Sequence, residues 1–528
     1  MTGSPASDRI GLVAPRPRRQ DILRGRLAVA ISVPIAAILV APLALLALDA
    51  RDGGWSELHR VLFNSRAGLL LSHTVVLCAL VVALSATIGV GAAWCTERTR
   101  LPARRVWTVL LVIPVAIPDF VVGYAWHSIA PTMNPLLAAT IVMTLGTYPL
   151  VYLPAAAALR RLDPAMQETS QSLGVGRLAT FARVTLPLMR TAVLGGCVLV
   201  ALTVLSEYGA FEILRYQTFT TAIFTEFQFD PQAAAALSVP LVCLGLLILA
   251  GDAILPRRVT VGSATARAVR RTQLGAATPP VLIALACLVA LAVAVPISTL
   301  VYWIVQSQHS TLPAAASLGS ATANTLAYSA AGAALAVLAA LPVSLMSFRR
   351  STVVRVMLER STYITQALPG VVIALSLVYF AVHYVFALYQ SSVLLIFAYA
   401  AMHFPLALVC VKASVAALRP GLNDVSQSLG RGPAATFLRV TLPLLAPGIV
   451  AGFCLVFLTV ATELTATLVL APIGVQTLAT QFWAFQSEVA YGAAAPYALM
   501  IVAIAVVPGA LLALWFDRER HTRVEAAA

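Results

Sequence analysis

Twelve apolar stretches, each about as long as a membrane-crossing helix, occupy most of this 528-residue chain. The hydrocarbon core of a bilayer requires about 20 consecutive apolar residues per helix. Helices are favoured over strands because an open sheet leaves its edge unpaired in lipid, and these stretches lack the alternation typical of a barrel. The stretches run near residues 27–48, 70–95, 106–126, 134–159, 188–210, 233–255, 280–305, 322–347, 361–382, 391–417, 444–467 and 493–516. The sequence therefore predicts an all-α membrane protein with about twelve transmembrane helices.

Charged residues are scarce and unevenly placed. They make up 11% of the chain, whereas soluble globular proteins carry about 25%. The net charge of +14 therefore does not indicate a nucleic-acid partner, because its placement follows the loops of a membrane protein. If the N-terminus is cytoplasmic, four basic residues lie outside and the other 31 of the 35 lie inside. The four are Arg51, Arg60, Arg66 and Arg215. The positive-inside rule predicts a multi-pass protein of the bacterial cytoplasmic membrane with both termini in the cytoplasm.

The second half of the chain repeats the first. The stretch S-Q-S-L-G-V-G-R-L-A-T-F-A-R-V-T-L-P-L begins at Ser170, and fifteen of its nineteen positions recur from Ser426. Six spans in each half keep the same orientation, so the sequence predicts two parallel six-helix repeats related by an axis along the membrane normal. An offset of 256 or 251 pairs Glu207 with Glu463, Thr221 with Thr477, Pro240 with Pro496, Thr74 with Thr325, and Pro118 with Pro369.

The repeat divides the chain into two modules with short cytoplasmic segments around them. The Arg-rich start and the apolar run after it fit an uncleaved first helix rather than a signal peptide. The expected segments are a cytoplasmic N-terminus at 1–26, a first module at 27–255, a cytoplasmic linker at 256–278, a second module at 279–516 and a cytoplasmic tail at 517–528.

A long cytoplasmic loop precedes the fifth span of each half. We call the first loop, residues 160–187, the first finger, and its repeat, residues 416–443, the second finger. In the first, Asp163 suits a helix N-cap, a short helix over 166–173 follows, and Gly174 suits the residue after a helix end. A second helical piece is expected over 179–184. The pattern predicts a helix–turn–helix that is too short to be a domain.

The repeated S-L-G with T-L-P downstream resembles the EAA motif of ABC importer permeases. The resemblance implies that each finger is a coupling helix docked in a groove of a separate ATPase. The family has a small residue pair after its glutamate, where this chain has Thr169–Ser170 and Val425–Ser426, and Asp424 replaces the glutamate in the second copy. The positions that carry the motif are Glu168, Ser172, Leu173, Gly174, Asp424, Ser428, Leu429 and Gly430.

The chain has no site for ATP of its own. A P-loop needs G-x-x-x-x-G-K-[ST], because its lysine must reach the phosphates, and Lys412, the only lysine, lies in V-K-A. We therefore expect a transporter subunit that is not an enzyme and holds no cofactor. The resemblance implies that ATP is bound by two partner ATPase subunits on the cytoplasmic side, and that an extracytoplasmic binding protein delivers the solute.

Three of the carboxylates within the predicted spans are candidates for a functional role. An ionisable side chain near the bilayer centre costs about 2.5–3.5 kcal/mol on insertion scales, so each needs a reason to be there. Glu207 and Glu463 lie near the outer ends of the fifth and eleventh spans, where they either line the transport pathway or are solvated at a helix end. Asp119 lies deeper, beside Pro118, and its repeat position is Gly370, beside Pro369. Both prolines are expected to open the helix backbone next to these positions. All three are candidates for the pathway.

The cargo is indicated only by resemblance. Fused two-module permeases of this length resemble ferric-iron and thiamine importers, and residues 206–223 and 463–483 resemble the ferric-iron branch. That implies Fe(III) held by the external binding protein, so no metal site is expected here. A thiamine or phosphonate importer permease and a twelve-helix secondary transporter remain alternatives. The loop C-T-E-R-T-R-L-P-A-R-R does not match the usual signature of the last class, and no catalytic constellation indicates an intramembrane enzyme.

Overall fold

The computed structural model describes residues 19–254, 271–307, 312–346, 361–362, 365–418 and 421–506. Within these ranges the regular structure is helical, apart from one isolated bridge between Thr99 and Thr272. The segments predicted at the N-terminus, between the halves and at the C-terminus lie largely outside the described residues. Their boundaries stay predictions.

The first half contains five long helices and a set of short ones. Its helices are α1 (Arg19–Asp52), α2 (Gly54–Leu62), α3 (Ser65–Arg98), α4 (Arg104–Leu110), α5 (Asp119–Ile129), α6 (Pro135–Arg161), α7 (Pro164–Ser172), α8 (Arg177–Thr180), α9 (Leu186–Ser206), α10 (Gly209–Ile213), α11 (Phe219–Phe229) and α12 (Pro231–Ile254).

The second half repeats this order in its described parts. Its helices are α13 (Thr278–Val289), α14 (Val295–Gln306), α15 (Ala315–Met346), α16 (Gly370–Tyr384), α17 (Ser392–Ala416), α18 (Leu422–Ser428), α19 (Pro433–Thr436), α20 (Leu442–Ala461), α21 (Thr465–Leu470), α22 (Leu478–Ser487) and α23 (Tyr491–Val506). Short polar caps start several long helices; the Asn64 side chain, for example, accepts a hydrogen bond from the Ala67 N–H at 2.7 Å.

The described helices account for all twelve predicted spans. Nine of them are long and apolar enough to cross a membrane. The other three predicted spans correspond to a bent pair, Arg104–Ala116 with Asp119–Ile129, and to the shorter apolar helices α16 and α23. The predicted class, an all-α membrane protein with two repeats, is confirmed.

The third span, predicted over 106–126, is broken at Pro118, where the sequence predicted that the helix backbone opens. Its two pieces meet at 90°, and α5 starts directly after Pro118. Proline has no N–H to donate and disfavours helical backbone in the residue before it, so Ile117 takes an extended conformation. Its counterpart, α16, likewise starts directly after Pro369.

The two halves interlock. Helix α1 of the first half packs against α16 of the second, and α14 of the second half packs against α5 of the first. The Thr365 hydroxyl donates to the Leu39 carbonyl oxygen at 3.0 Å, and the Tyr379 hydroxyl donates to the Asp52 carboxylate. Both buried cores contain residues of both halves. Neither core is therefore formed by one half alone.

The structure corrects one part of the repeat alignment. Thr218 and Thr477 are the equivalent N-cap residues of α11 and α22, each forming a reciprocal cap with the threonine three positions later. Thr477 therefore matches Thr218, and not Thr221 as the offset of 256 predicted. The offset rises to 259 here because α21 is one residue longer than α10 and the connection after it is two residues longer.

Candidate functional site

The first finger contains a capped helix that ends in a left-handed turn. The Asp163 side chain accepts from the Ala165 N–H at 2.9 Å and starts α7. The helix ends at Ser172, and Gly174 follows with φ +82°. The N–H of Gly174 donates to the Gln171 carbonyl at 3.0 Å, and the next N–H donates to the Ser170 carbonyl at 3.2 Å. This is a Schellman motif, so the predicted helix end is confirmed.

The second finger has the same turn. Helix α18 begins after Gly421, whose φ is +87°, and ends at Ser428. Gly430 has φ +79°, and its N–H donates to the Gln427 carbonyl at 2.9 Å. Asp424 lies on α18, but its side chain lies outside the described part of the chain.

The second arm of each finger is continuous with the fifth span. The predicted separate piece over 179–184 is instead α8 followed by a π-helical turn, Phe181–Thr185, that leads directly into α9. The second finger has the same turn at Phe437–Thr441. Pro187 lies just beyond the first turn, and its ring would crowd the carbonyl four residues earlier in a regular α-helix. The wider turn is consistent with relief of that clash.

Hydroxyl pairs join the two arms of each finger. The Ser170 and Thr180 hydroxyl oxygens lie 3.1 Å apart, and those of Ser426 and Thr436 lie 3.0 Å apart. These residues belong to the repeated stretch of the sequence, but no sequence pattern predicted that their hydroxyl groups would be in contact. These contacts connect the helix of each finger to the segment that leads into the fifth span of the same half.

The tips of the fingers expose apolar side chains. Leu173 is 78% exposed and Leu429 is 77% exposed. They occupy the same position in the two turns, beside exposed Ser172 and Glu168 in the first finger. Met166, on the helix of the first finger, is also exposed, so that finger presents more than one apolar side chain.

The fifth spans end at the paired glutamates. Each Oε1 accepts from a backbone N–H three residues later, Glu207 from Ala210 at 2.7 Å and Glu463 from Ala466 at 3.1 Å. One carboxylate oxygen of each glutamate therefore caps the N-terminus of the short helix that follows. Both side chains keep part of their surface accessible.

The structure brings all three predicted pathway carboxylates together. Asp119 interacts electrostatically with Glu207, and Glu207 with Glu463 across the two halves. Gly146 leaves room for the Asp119 carboxylate, which a Cβ there would overlap. Gly370, the counterpart of Asp119, faces Glu463, whose Oε1 lies 3.5 Å from where its Cβ would be. In the described residues none of the three carboxylates forms an ion pair.

A buried ion-pair group at the base of the first finger was not predicted. Glu97, at the end of α3, has a side chain only 3% exposed; it pairs with Arg160 at 2.8 Å and also with Arg104. The neighbouring Arg98 donates to the carbonyl oxygens of Leu159 and Leu162, at 2.8 and 3.1 Å, and so caps the end of α6. We call these residues the Glu97 clamp. Its only signal in the sequence was a glutamate within an Arg-rich loop.

Comparison with known proteins identifies the family to which the chain belongs. The chain matches the family described as binding-protein-dependent transport system inner membrane component twice, over residues 85–261 and 332–521. It is 35% identical to the Fe(3+)-transport system permease protein FbpB 2 of Haemophilus influenzae, over 94% of this chain and 99% of that relative. It is 27% identical to the sulfate transport system permease protein CysT of Salmonella typhimurium, over 40% of this chain and 84% of that relative.

A third relative is the molybdenum transport system permease protein ModB of Escherichia coli, which is 27% identical over 25% of this chain and 64% of its own length. The two family matches fall one in each half, in agreement with the repeat. Proteins of this kind are transporter components of the inner membrane rather than enzymes. The chain belongs to the family of inner-membrane components of binding-protein-dependent transport systems.

Proposed function

We propose that this chain is the permease subunit of an ABC importer and that its cargo is ferric iron. The cargo is supported by the relative named as an Fe(3+) permease, which matches both halves. The sulfate and molybdenum relatives match 40% of the chain or less. The carboxylates between the halves favour the same choice, because three acidic groups that form no ion pair among the described residues attract a cation and repel sulfate.

The two fingers are the docking points for two separate ATPase subunits. The carrying observation is the matched pair of exposed leucines, Leu173 and Leu429, each held by the same glycine turn. The sequence contains no P-loop, so the energy must come from partners that bind ATP. The positive-inside rule puts the fingers and both termini in the cytoplasm. The solute-binding protein then docks on the opposite side of the membrane.

The transport pathway runs between the halves, past Glu207, Glu463 and Asp119. Closure of the ATP-bound subunits draws the fingers together, and the fingers move the fifth spans because their second arms are continuous with α9 and α20. The two glutamates end those spans, about 30 Å from the last residues of the fingers at 1.5 Å per residue. Force applied at the fingers therefore reaches the carboxylates through rigid helices.

Uptake into sealed proteoliposomes tests this proposal. The permease is reconstituted with its ATPase subunits, and binding protein loaded with radioactive Fe(III) is added outside. We expect uptake that requires ATP and that falls in the Glu207→Gln/Glu463→Gln variant. Uptake without ATPase subunits would instead indicate a secondary transporter. Transport of thiamine, a phosphonate or sulfate in place of iron would replace the proposed cargo.

A further inference from the structure

We propose that four apolar side chains, Tyr208, Leu464, Phe224 and Trp483, form a plug that closes the pathway on the side away from the fingers, and that the carboxylates beside it make the opened pathway cation-selective. This inference rests on the proposed function and names the residues that gate the same pathway. We call the four residues the plug.

Tyr208 is the centre of the plug. It follows Glu207 directly in the break between α9 and α10, and its side chain is only 3% exposed. Its ring stacks on Phe224 of α11 with centroids 4.2 Å apart and an interplanar angle of 30°. It also contacts Trp483 of α22 with centroids 5.3 Å apart. Phe224 belongs to the first half and Trp483 to the second, so one tyrosine bridges both halves.

The plug follows the twofold relation of the repeat. Leu464 is the counterpart of Tyr208 at the offset of 256, and it is also 3% exposed. It packs against Gly209, where an added Cβ would lie 2.7 Å from its Cδ2 atom. Phe224 and Trp483 are counterparts at the offset of 259 that the threonine caps define. The two equivalent pairs, Tyr208 with Leu464 and Phe224 with Trp483, therefore lie near the twofold axis that relates the halves.

The position of the plug explains why it would control ions. Glu207 and Glu463 immediately precede Tyr208 and Leu464, so the apolar constriction adjoins the acidic one. A tightly packed apolar constriction excludes hydrated ions, because they would lose water without gaining new ligands. Since its members come from both halves, the plug opens only when the halves separate at this end. Once the plug opens, the two carboxylates lie directly beside the path of a permeating ion.

Passive ion leak tests the plug without any iron transport. Full-length permease with its ATPase subunits is reconstituted without ATP or binding protein, and fluxes of Na⁺ and Cl⁻ are measured. We expect Tyr208→Ala/Trp483→Ala to raise Na⁺ leak about tenfold over the unsubstituted protein, because the apolar seal is lost. Tyr208→Phe should stay tight, since it keeps the ring. Phe453→Ala is the matched control, because Phe453 stacks on Phe457 of its own helix at 6.2 Å and lies outside the plug.

Selectivity is tested by adding Glu207→Gln/Glu463→Gln to the leaky variant. We expect the preference for Na⁺ over Cl⁻ to disappear while the leak remains. A double alanine variant as tight as the unsubstituted protein overturns the plug, and a leak that never prefers Na⁺ overturns the role of the carboxylates. If the double variant fails to insert, the single alanine variants are measured instead. None of these fluxes needs ATP or iron, so their outcome is separate from that of the proposed function.

Discussion

Glu97 has a buried environment that its sequence context does not suggest. Its buried carboxylate holds arginines from two elements, α4 and the end of α6, where the first finger begins. The second half has no equivalent in its sequence, since Phe348 and Ala416 occupy the positions that match Glu97 and Arg160. Sequence reasoning found Glu207 and Glu463 because they repeat. It missed Glu97 because an unrepeated glutamate among arginines looks like an ordinary solvated loop.

Replacing Glu97 should therefore destabilise the protein. Glu97→Gln keeps the shape but leaves two arginines without their charge partner, and we expect a loss of about 2 kcal/mol in the free energy of unfolding. Thermal unfolding in detergent measures it. The control is Glu226→Gln, which breaks a more exposed ion pair with Arg66, whose side chains are 22% and 56% exposed, and should cost less than about 1 kcal/mol. Equal effects for the two variants would contradict a structural role for the clamp.

At the scale of single elements, local chemistry was predictable and helix continuity was not. The end of α7 at Gly174 follows from a residue that tolerates positive φ, so the sequence indicated it directly. The opening at Pro118 was predicted from the proline, but its 90° angle and the π-turns before Pro187 and Pro443 were not. An apolar run has the same composition whether its helix is straight, bent or widened, and only packing against neighbouring helices decides between them.

The finger turns carry a prediction of their own. Valine at Gly174 and at Gly430 would be forced into left-handed backbone, at a cost of about 1–3 kcal/mol per turn. We expect Gly174→Val/Gly430→Val to insert normally and to lose most ATP-driven uptake, because the exposed leucine before each glycine is displaced. Gly176→Val is the matched control. Gly176 lies in the same finger, its φ is not positive, and a Cβ added there would enter open space. Normal uptake in the double variant would refute a coupling role for the turns.

At the scale of the whole molecule, the repeat predicted twelve spans but not how the halves fit together. Both halves have similar apolar surfaces, so nothing in the sequence indicates that α1 packs against α16 and α14 against α5. The mixed composition of the two cores is a consequence of that exchange. A backbone bridge adds to it: the Thr272 N–H donates to the Arg98 carbonyl at 2.9 Å, and the Arg100 N–H donates to the Thr272 carbonyl at 3.0 Å.

This interlocking predicts that the halves stay together without a covalent link. A protease site is inserted within residues 255–270, and the purified protein is cleaved in detergent. We expect the two fragments to co-purify and to retain ATP-driven uptake after reconstitution, because the contacts between α1 and α16, between α14 and α5, and at the Thr272 bridge do not need the cut peptide. Each half expressed alone should aggregate or be degraded, since it exposes core residues that the other half covers. Fragments that separate on a sizing column would show instead that the linker holds the molecule together.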